Sequence, residues 1–230
     1  MNLNLRQWQS CPEKLGFLFF AIILSFTVSG QSISWKKVWK KEVKSEAFTD
    51  SLKVLDILKW ISKKVDYETN IKYQKDRSNV NLPVARRAYI EGKAVCIGFA
   101  KLFEALCEAA GLPVITVEGI AYLPIDNSME NHAWNLVKYN NKWKVVDPTW
   151  SSGYVENNAY KSKFSARHVD IPFKERMFSH YPYDPALQVC EQPITFDQFT
   201  SQEVPSSDAP LTFDGETLDS ILNSYAGLTD

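Results

Sequence analysis

The chain has 230 residues, 45% hydrophobic and 23% charged, which suits one globular domain with a sizeable core rather than a disordered or fibrous chain. A formal net charge of -1 offers no basic surface to displace counterions from phosphates, so a nucleic-acid partner is not expected. Lysines crowd residues 36–64, whereas no Lys or Arg follows Arg176 and the tail carries Glu203, Asp208, Asp214, Glu216, Asp219 and Asp230, an asymmetry that reads as solvated surface.

The N-terminus reads as an address. Arg6 and Lys14 precede an apolar run from Leu15 to Val28, followed by Ser29, Gly30 and Gln31. The run has the length of a signal-peptide core and is short for a membrane span. Val28 and Gly30 fit the two small-residue positions of a cleavage site, so residues 1–30 are expected to be a signal peptide and the mature chain to begin at Gln31. The protein is then secreted or periplasmic, touching a membrane only through the leader if that is uncleaved. Removing the leader removes Cys11 and leaves Cys96, Cys107 and Cys190, an odd number without metal-ligand spacing. At least one thiol stays free in a monomer. A Cys107–Cys190 bridge remains open, although Cys107 falls on an apolar helix face where a small core residue is expected.

From Phe48 to Val65 the residues Leu52, Leu55, Leu58, Ile61 and Val65 recur at helical spacing, with Thr49, Asp50 and Ser51 offering N-caps. Asp66 to Asn81 is polar and predicts loop, with Pro83 near its end interrupting any helix. Cys96 then opens a helical stripe of Phe99, Leu102, Phe103, Leu106, Cys107 and Ala110, stopped by Gly111 and Pro113. Three strand-like runs follow, Val114 to Ile120, Ala133 to Tyr139 and Trp143 to Val146, the last two joined by the turn residues Asn140-Asn141-Lys142. A helix followed by an antiparallel meander is an α+β arrangement. Tyr154 to Pro185 is aromatic without clear period and predicts loops and short helices over the sheet. The expected organisation is a domain over residues 31–200 and an acidic linker and tail over 201–230.

Three segments carry chemistry: Gly92 to Ala100 with Cys96, Asn131 to Asn135 with His132, and Val145 to Trp150 with Asp147. A thiol near its free pKa of about 8.5 is mostly protonated at neutral pH, and only the thiolate attacks well. A helix N-terminus supplies positive potential and unpaired N–H groups to the sulfur, and an imidazolium completes the activation. His132 and Asp147 on adjacent strands can meet, the aspartate holding one ring nitrogen while the other faces the sulfur. The backbone N–H of Cys96 is one candidate oxyanion donor, and no second donor is identifiable. Trp134 and Trp150 would wall the site from water. His168 and His180 have no catalytic partner spacing and read as structural or surface residues.

The segments Gly92 to Ala100, Asn131 to Lys138 and Lys142 to Trp150 resemble the three motifs of the transglutaminase-like superfamily, whose Cys, His and Asp match Cys96, His132 and Asp147. Phe178 to Pro185, Gln188 and Pro193 to Phe199 are similar to the segment that follows the core in the kyphoscoliosis peptidase branch. The resemblance covers roughly Leu52 to Phe199. It implies a papain-like α+β core with the nucleophile helix packed on an antiparallel β-sheet, and catalysis with no metal or other cofactor. Two positions depart from the pattern. Ala94 stands where many members carry Gly, and Ala186-Leu187 replace the usual Trp before Gln188.

The leading expectation is therefore an exported cysteine peptidase or amidase acting on a protein or peptide, with cell-wall stem peptide among the candidates. A protein-glutamine transglutaminase uses the same acyl-enzyme with an amine as acceptor. A non-catalytic protein or cell-wall binding module on the same fold is the alternative from another class.

Overall fold

The computed structural model describes residues 32–70, 82–123, 127–188 and 193–202. The expected leader with its expected cleavage site, Cys11, Cys190 and the tail beyond Gln202 lie outside the described residues.

A short helix α1 (Trp35–Val38) runs on as a π-helical turn over Trp39–Val43. Helix α2 (Asp50–Lys64) is capped by the Thr49 hydroxyl, which accepts from the Leu52 N–H. Its buried face is Val54, Ile57, Leu58, Ile61 and, just past the end, Val65. Leu52, predicted to join that stripe, is 48% exposed, because the face that meets the core is phased on Val54 and Ile57.

The stretch predicted as loop begins with strand β1 (Asp66–Tyr67), which pairs in parallel with β2 (Lys93–Ala94), Tyr67 opposite Ala94. Between them the sequence reading missed helix α3 (Val84–Glu91). Pro83 does not interrupt this helix but stands at its N-cap, where the lack of an N–H costs nothing. Gly92, at φ 62°, ends it in the left-handed region that glycine adopts freely.

Helix α4 (Cys96–Ala109) is the central element. Phe99, Leu102, Phe103, Leu106 and Cys107 are all fully buried, as the stripe predicted. Each such large side chain contributes about 1.5–3 kcal/mol by leaving water. The helix packs against α2 and α3 on one side and the sheet on the other. Gly111, at φ 80°, turns the chain into the sheet.

Strands β3 (Val114–Leu123), β4 (Ser128–Tyr139) and β5 (Lys142–Val146) form the predicted antiparallel meander, each reaching at least one residue beyond its predicted start or end. Asn140 and Asn141, at φ 53° and 58°, make the tight β4–β5 turn. Helix α5 (Pro148–Ser152) follows at once, then a hairpin of β6 (Gly153–Glu156) and β7 (Ala159–Ser162). A 3-10 turn (Ala166–His168) and helix α6 (Phe173–Ser179) lead to β8 (His180–Pro182), which joins β3 so that the main sheet runs β5-β4-β3-β8. Neither the β6–β7 hairpin nor β8 was legible as a strand. A further 3-10 turn (Pro185–Gln188) and helix α7 (Phe196–Ser201) close the described chain. The result is the α+β, papain-like arrangement that the resemblance implied, a helix opened by Cys96 on an antiparallel sheet.

The sheet has two apolar sides. Val137, Tyr139 and Val146 join the core around α4, while Val117, Trp134, Leu136, Trp143, Val145, Ile171 and Leu187 form a second cluster. Leu187 thus occupies the second cluster just before Gln188. Gln188 itself ties down the C-terminal segment by giving Nε2 to the Ile194 carbonyl and taking the Ile194 N–H on Oε1, both at 2.9 Å. Buried Asn135 links helix to sheet, its Nδ2 donating to Ala100 O and to Thr116 Oγ1, each at 3.2 Å.

One glycine makes the last strand possible. A Cβ on Gly119 would lie 2.1 Å from the Tyr181 carbonyl oxygen, 2.6 Å from the Trp134 ring and 2.7 Å from Pro182 Cα. Only the bare backbone lets β8 and the indole approach together. Gly119→Ala is therefore expected to cost about 3 kcal/mol by overpacking against backbone, read as a lowered urea midpoint. A midpoint equal to that of the wild type would mean that β8 does not lie against Gly119.

Candidate active site

The site is assembled from the start of a helix, the overhanging end of a strand and a helix cap. Cys96 is the first residue of α4, partly exposed, after Val95 in extended conformation at the N-cap. The Val95 carbonyl accepts from Gly98 and Phe99 at 2.8 and 3.3 Å, closing the first turn. The N–H of Cys96 has no hydrogen-bond partner among the described residues, as befits a helix start. Ala94, one of the two departures from the family pattern, is buried, and its Cβ lies only 2.5 Å from where a Cβ on Gly98 would be. The added methyl group is accommodated because Gly98 has none.

His132 lies on the part of β4 that continues past β5, whose pairing stops at Asn135 opposite Val146. The chain leaving β5 turns at Asp147 directly into α5. Asp147 is that helix's N-cap: its Oδ1 accepts from the N–H groups of Thr149 and Trp150 at 2.8 and 3.0 Å. Its other oxygen, Oδ2, lies 2.8 Å from His132 Nε2. With Nε2 so committed, Nδ1 is the nitrogen left for the Cys96 thiol, which is near enough to help raise the His132 pKa. The structure thus brings Cys96, His132 and Asp147 together in the order thiol, imidazole, carboxylate.

The electrostatics of the pair follow from burial and proximity. Burial alone would lower the pKa of His132, but the Asp147 charge and the hydrogen bonds with Asp147 and Cys96 outweigh it and push it up to about 10. Burial would likewise raise Asp147, yet the His132 imidazolium and hydrogen bonds from His132 and His180 hold its carboxyl well below the usual range. The two indoles expected to wall the site do so. Trp134 and Trp150 stack on the His132 ring with centroids at 6.2 and 5.3 Å, which excludes water and favours a cationic imidazole between π-faces.

Two residues at the site were not singled out by the sequence reading. His180, read there as structural or surface, is 4% exposed, so it is no surface residue, and its Nε2 lies 3.3 Å from the same Asp147 Oδ2. Its Nδ1 meets the Ser179 hydroxyl at 2.7 Å, and its ring packs on Trp134 and Trp150 at 5.0 and 4.7 Å. Burial keeps its pKa below the ordinary imidazole value despite Asp147. Its place in the quoted Phe178 to Pro185 stretch was the signal that could have found it. The His168 ring stands edge-on to Trp150 at 5.6 Å, and its backbone carbonyl accepts from the Asp147 N–H at 3.0 Å. Tyr67, delivered by the β1–β2 pairing, stacks on Phe99 one turn beyond Cys96. Its hydroxyl has no hydrogen-bond partner among the described residues. Burial, then the charges of Cys96, Glu130 and Asp147, push its pKa up to about 12, so it remains a neutral donor.

His132, Asp147 and His180 each offer a ligand-type atom, all within 4.8 Å of one another. Each of these atoms already takes part in a hydrogen bond, and Oδ1 of Asp147 serves two backbone N–H groups, so the arrangement is read as proton-sharing. Cys107 is a free, fully buried thiol whose pKa burial raises well above the ordinary value, and it has no access to this chemistry.

A family model described as the transglutaminase-like superfamily matches residues 37–148. The kyphoscoliosis peptidase of Mus musculus is 31% identical to the chain over 162 residues, covering 67% of the chain and 24% of the relative. The kyphoscoliosis peptidase of Homo sapiens is 32% identical over the same shares. The chain therefore spans about a quarter of the length of these curated relatives. A solved structure named as a candidate cysteine protease from Cytophaga hutchinsonii is 26% identical, covering 50% of the chain and 36% of that structure with a TM-score of 0.40.

The charged pair makes stability depend on pH with a definite sign. The lowered Asp147 contributes stability present above its ordinary value of 3.8 and lost as pH falls below it. The raised His132 contributes stability fully present below 6.5 and lost as pH rises toward about 10. Asp147→Asn should therefore be most destabilising between pH 3.8 and 6.5. Thermal unfolding of both proteins across pH measures this, and a difference that does not vary with pH would refute the pairing.

Proposed function

Because this chain belongs to the transglutaminase-like superfamily, in the branch of the kyphoscoliosis peptidases, we propose that it is a cysteine peptidase or amidase that cleaves protein or peptide amides through a thioester. The observation that carries the reading is the buried His132–Asp147 hydrogen bond beside Cys96 at the start of α4. Cys96 Sγ, its proton already held on His132 Nδ1, attacks the amide carbonyl carbon as the thiolate. The oxyanion so formed takes the Cys96 N–H as one donor and the Tyr67 O–H as the second. Collapse breaks the C–N bond as the His132 imidazolium protonates the leaving amine. Water then attacks the thioester, giving a proton back to His132, and the C–S bond breaks to release the acid. Asp147 fixes the imidazole throughout.

The apolar run of residues 15–28 supports export, and a product starting at Gln31 in the medium or periplasm would be its signature.

Cys96→Ala should lower turnover more than about 1,000-fold, and Tyr67→Phe should lower kcat by about 100-fold with little change in KM. Incubation with a glutamine-containing protein and a labelled amine measures both acceptors at once. Amine incorporation exceeding hydrolysis would make the protein a transglutaminase instead. Iodoacetamide reacting no faster with Cys96 than with Cys107, together with full retention of activity in Cys96→Ala, would leave a binding module.

A further inference from the structure

The Asp147 carboxylate has more partners than a base-orienting residue needs. Its orientation is already fixed by α5, whose first N–H groups hold Oδ1. His132 then requires only Oδ2, yet Oδ2 is shared: His132 Nε2 lies at 2.8 Å and His180 Nε2 at 3.3 Å. His180 is not a passive filler. Both its nitrogens are engaged, Nδ1 with Ser179 Oγ at 2.7 Å and Nε2 with a carboxylate held ionised, which can only accept. A neutral ring facing that carboxylate carries its proton on Nε2, which leaves Nδ1 as an acceptor for the Ser179 hydroxyl, whose single proton is also within reach of the Glu175 carbonyl at 3.0 Å. A separate strand, β8, exists in the sheet for only three residues, the first of which is His180. The other titratable groups around this carboxylate are Cys96 on α4, Tyr67 on β1, Glu130 on β4 and His168 on the 3-10 turn. None of these four side chains is hydrogen-bonded to the Asp147 carboxylate, although the His168 backbone carbonyl accepts from the Asp147 N–H at 3.0 Å.

We propose that His180 is a positioning residue that acts on His132 through their shared oxygen: by donating Nε2–H to Asp147 Oδ2, it draws off part of the carboxylate's charge and keeps the His132 imidazolium able to release its proton to the leaving amine. The proposal rests on the acyl-transfer reading of the site for its catalytic consequence, but not for the coupling itself. Without His180, the whole carboxylate charge acts on His132, and the imidazolium becomes a weaker acid. A merely structural His180 would do nothing of the kind.

The chain contains only three histidines, so imidazole 15N NMR resolves each of them in the full-length protein. In the wild type, His180 should be neutral with its proton on Nε2, and a proton on Nδ1 instead would overturn the proposal without any mutation. His180→Phe, which keeps a ring between Trp134 and Trp150, should raise the His132 titration midpoint by about one pH unit. His180→Gln, which keeps a donor near the Nε2 position, should restore it. Equal midpoints in all three proteins would overturn the coupling.

Turnover gives a second readout, using an acyl p-nitroanilide and the p-nitrophenyl ester of the same acyl group. The ester's leaving group needs no proton, whereas the anilide's does. His180→Phe should slow the anilide roughly 3- to 10-fold more than the ester, and equal slowing of the two would identify a structural role only. Absence of turnover in every protein, with the NMR shift present, would remove the peptidase reading and leave the coupling standing.

Discussion

One buried carboxylate holds the arrangement together. Asp147 is fully buried, and such a charge is tolerated only when every lone-pair direction finds a donor. Two backbone N–H groups of α5 and two imidazoles supply them. This requirement explains why the meander ends in a helix cap, why β4 outruns β5, and why a distant strand returns to the sheet. The cap brings two donors to the same carboxylate, and β4 and β8 one each. The aromatic box of Trp134 and Trp150 follows from the same need, since excluding water strengthens every interaction inside it.

The nucleophile side is simpler and depends on backbone geometry. Cys96 opens the best-buried helix among the described residues, so the positive end of that helix is held rigidly where the thiol sits. The parallel β1–β2 pairing then carries Tyr67 to the same end. A helix start and a two-residue strand pair are small devices, but both are anchored by the core around Phe99, Leu102 and Phe103.

What was legible in the sequence depended on pattern length. The Cys96 helix showed because its apolar stripe repeats over three turns, and the meander because its β-type runs are bounded by Gly, Pro and Asn turns. Motif order and spacing located Cys96, His132 and Asp147, and the structure brings these three together. Strands β1 and β8 have two and three residues, too few for any period to emerge. Helix α3 was hidden by Pro83, which marks a helix start as readily as a break. Leu52 shows the same limit in another form. A helix can be right while its phase is off, because tertiary packing chooses among apolar residues that spacing alone leaves equivalent. His180 escaped for a different reason: its partner is 33 residues away, and a single histidine carries no local signature of a shared oxygen.

The cap on Asp147 also determines where this fold can be cut. A fragment ending at Pro148 would retain the thiol, the imidazole and the carboxylate, every residue a motif search selects. It would lack the N–H groups of Thr149 and Trp150, the Trp150 ring and the whole segment that carries His180. The carboxylate would then face the interior with a single donor, at a cost of about 3–5 kcal/mol for a charge stripped of its partners. The smallest autonomous unit is therefore larger than the three motifs, and its boundary lies beyond β8, where the electrostatic shell around Asp147 closes.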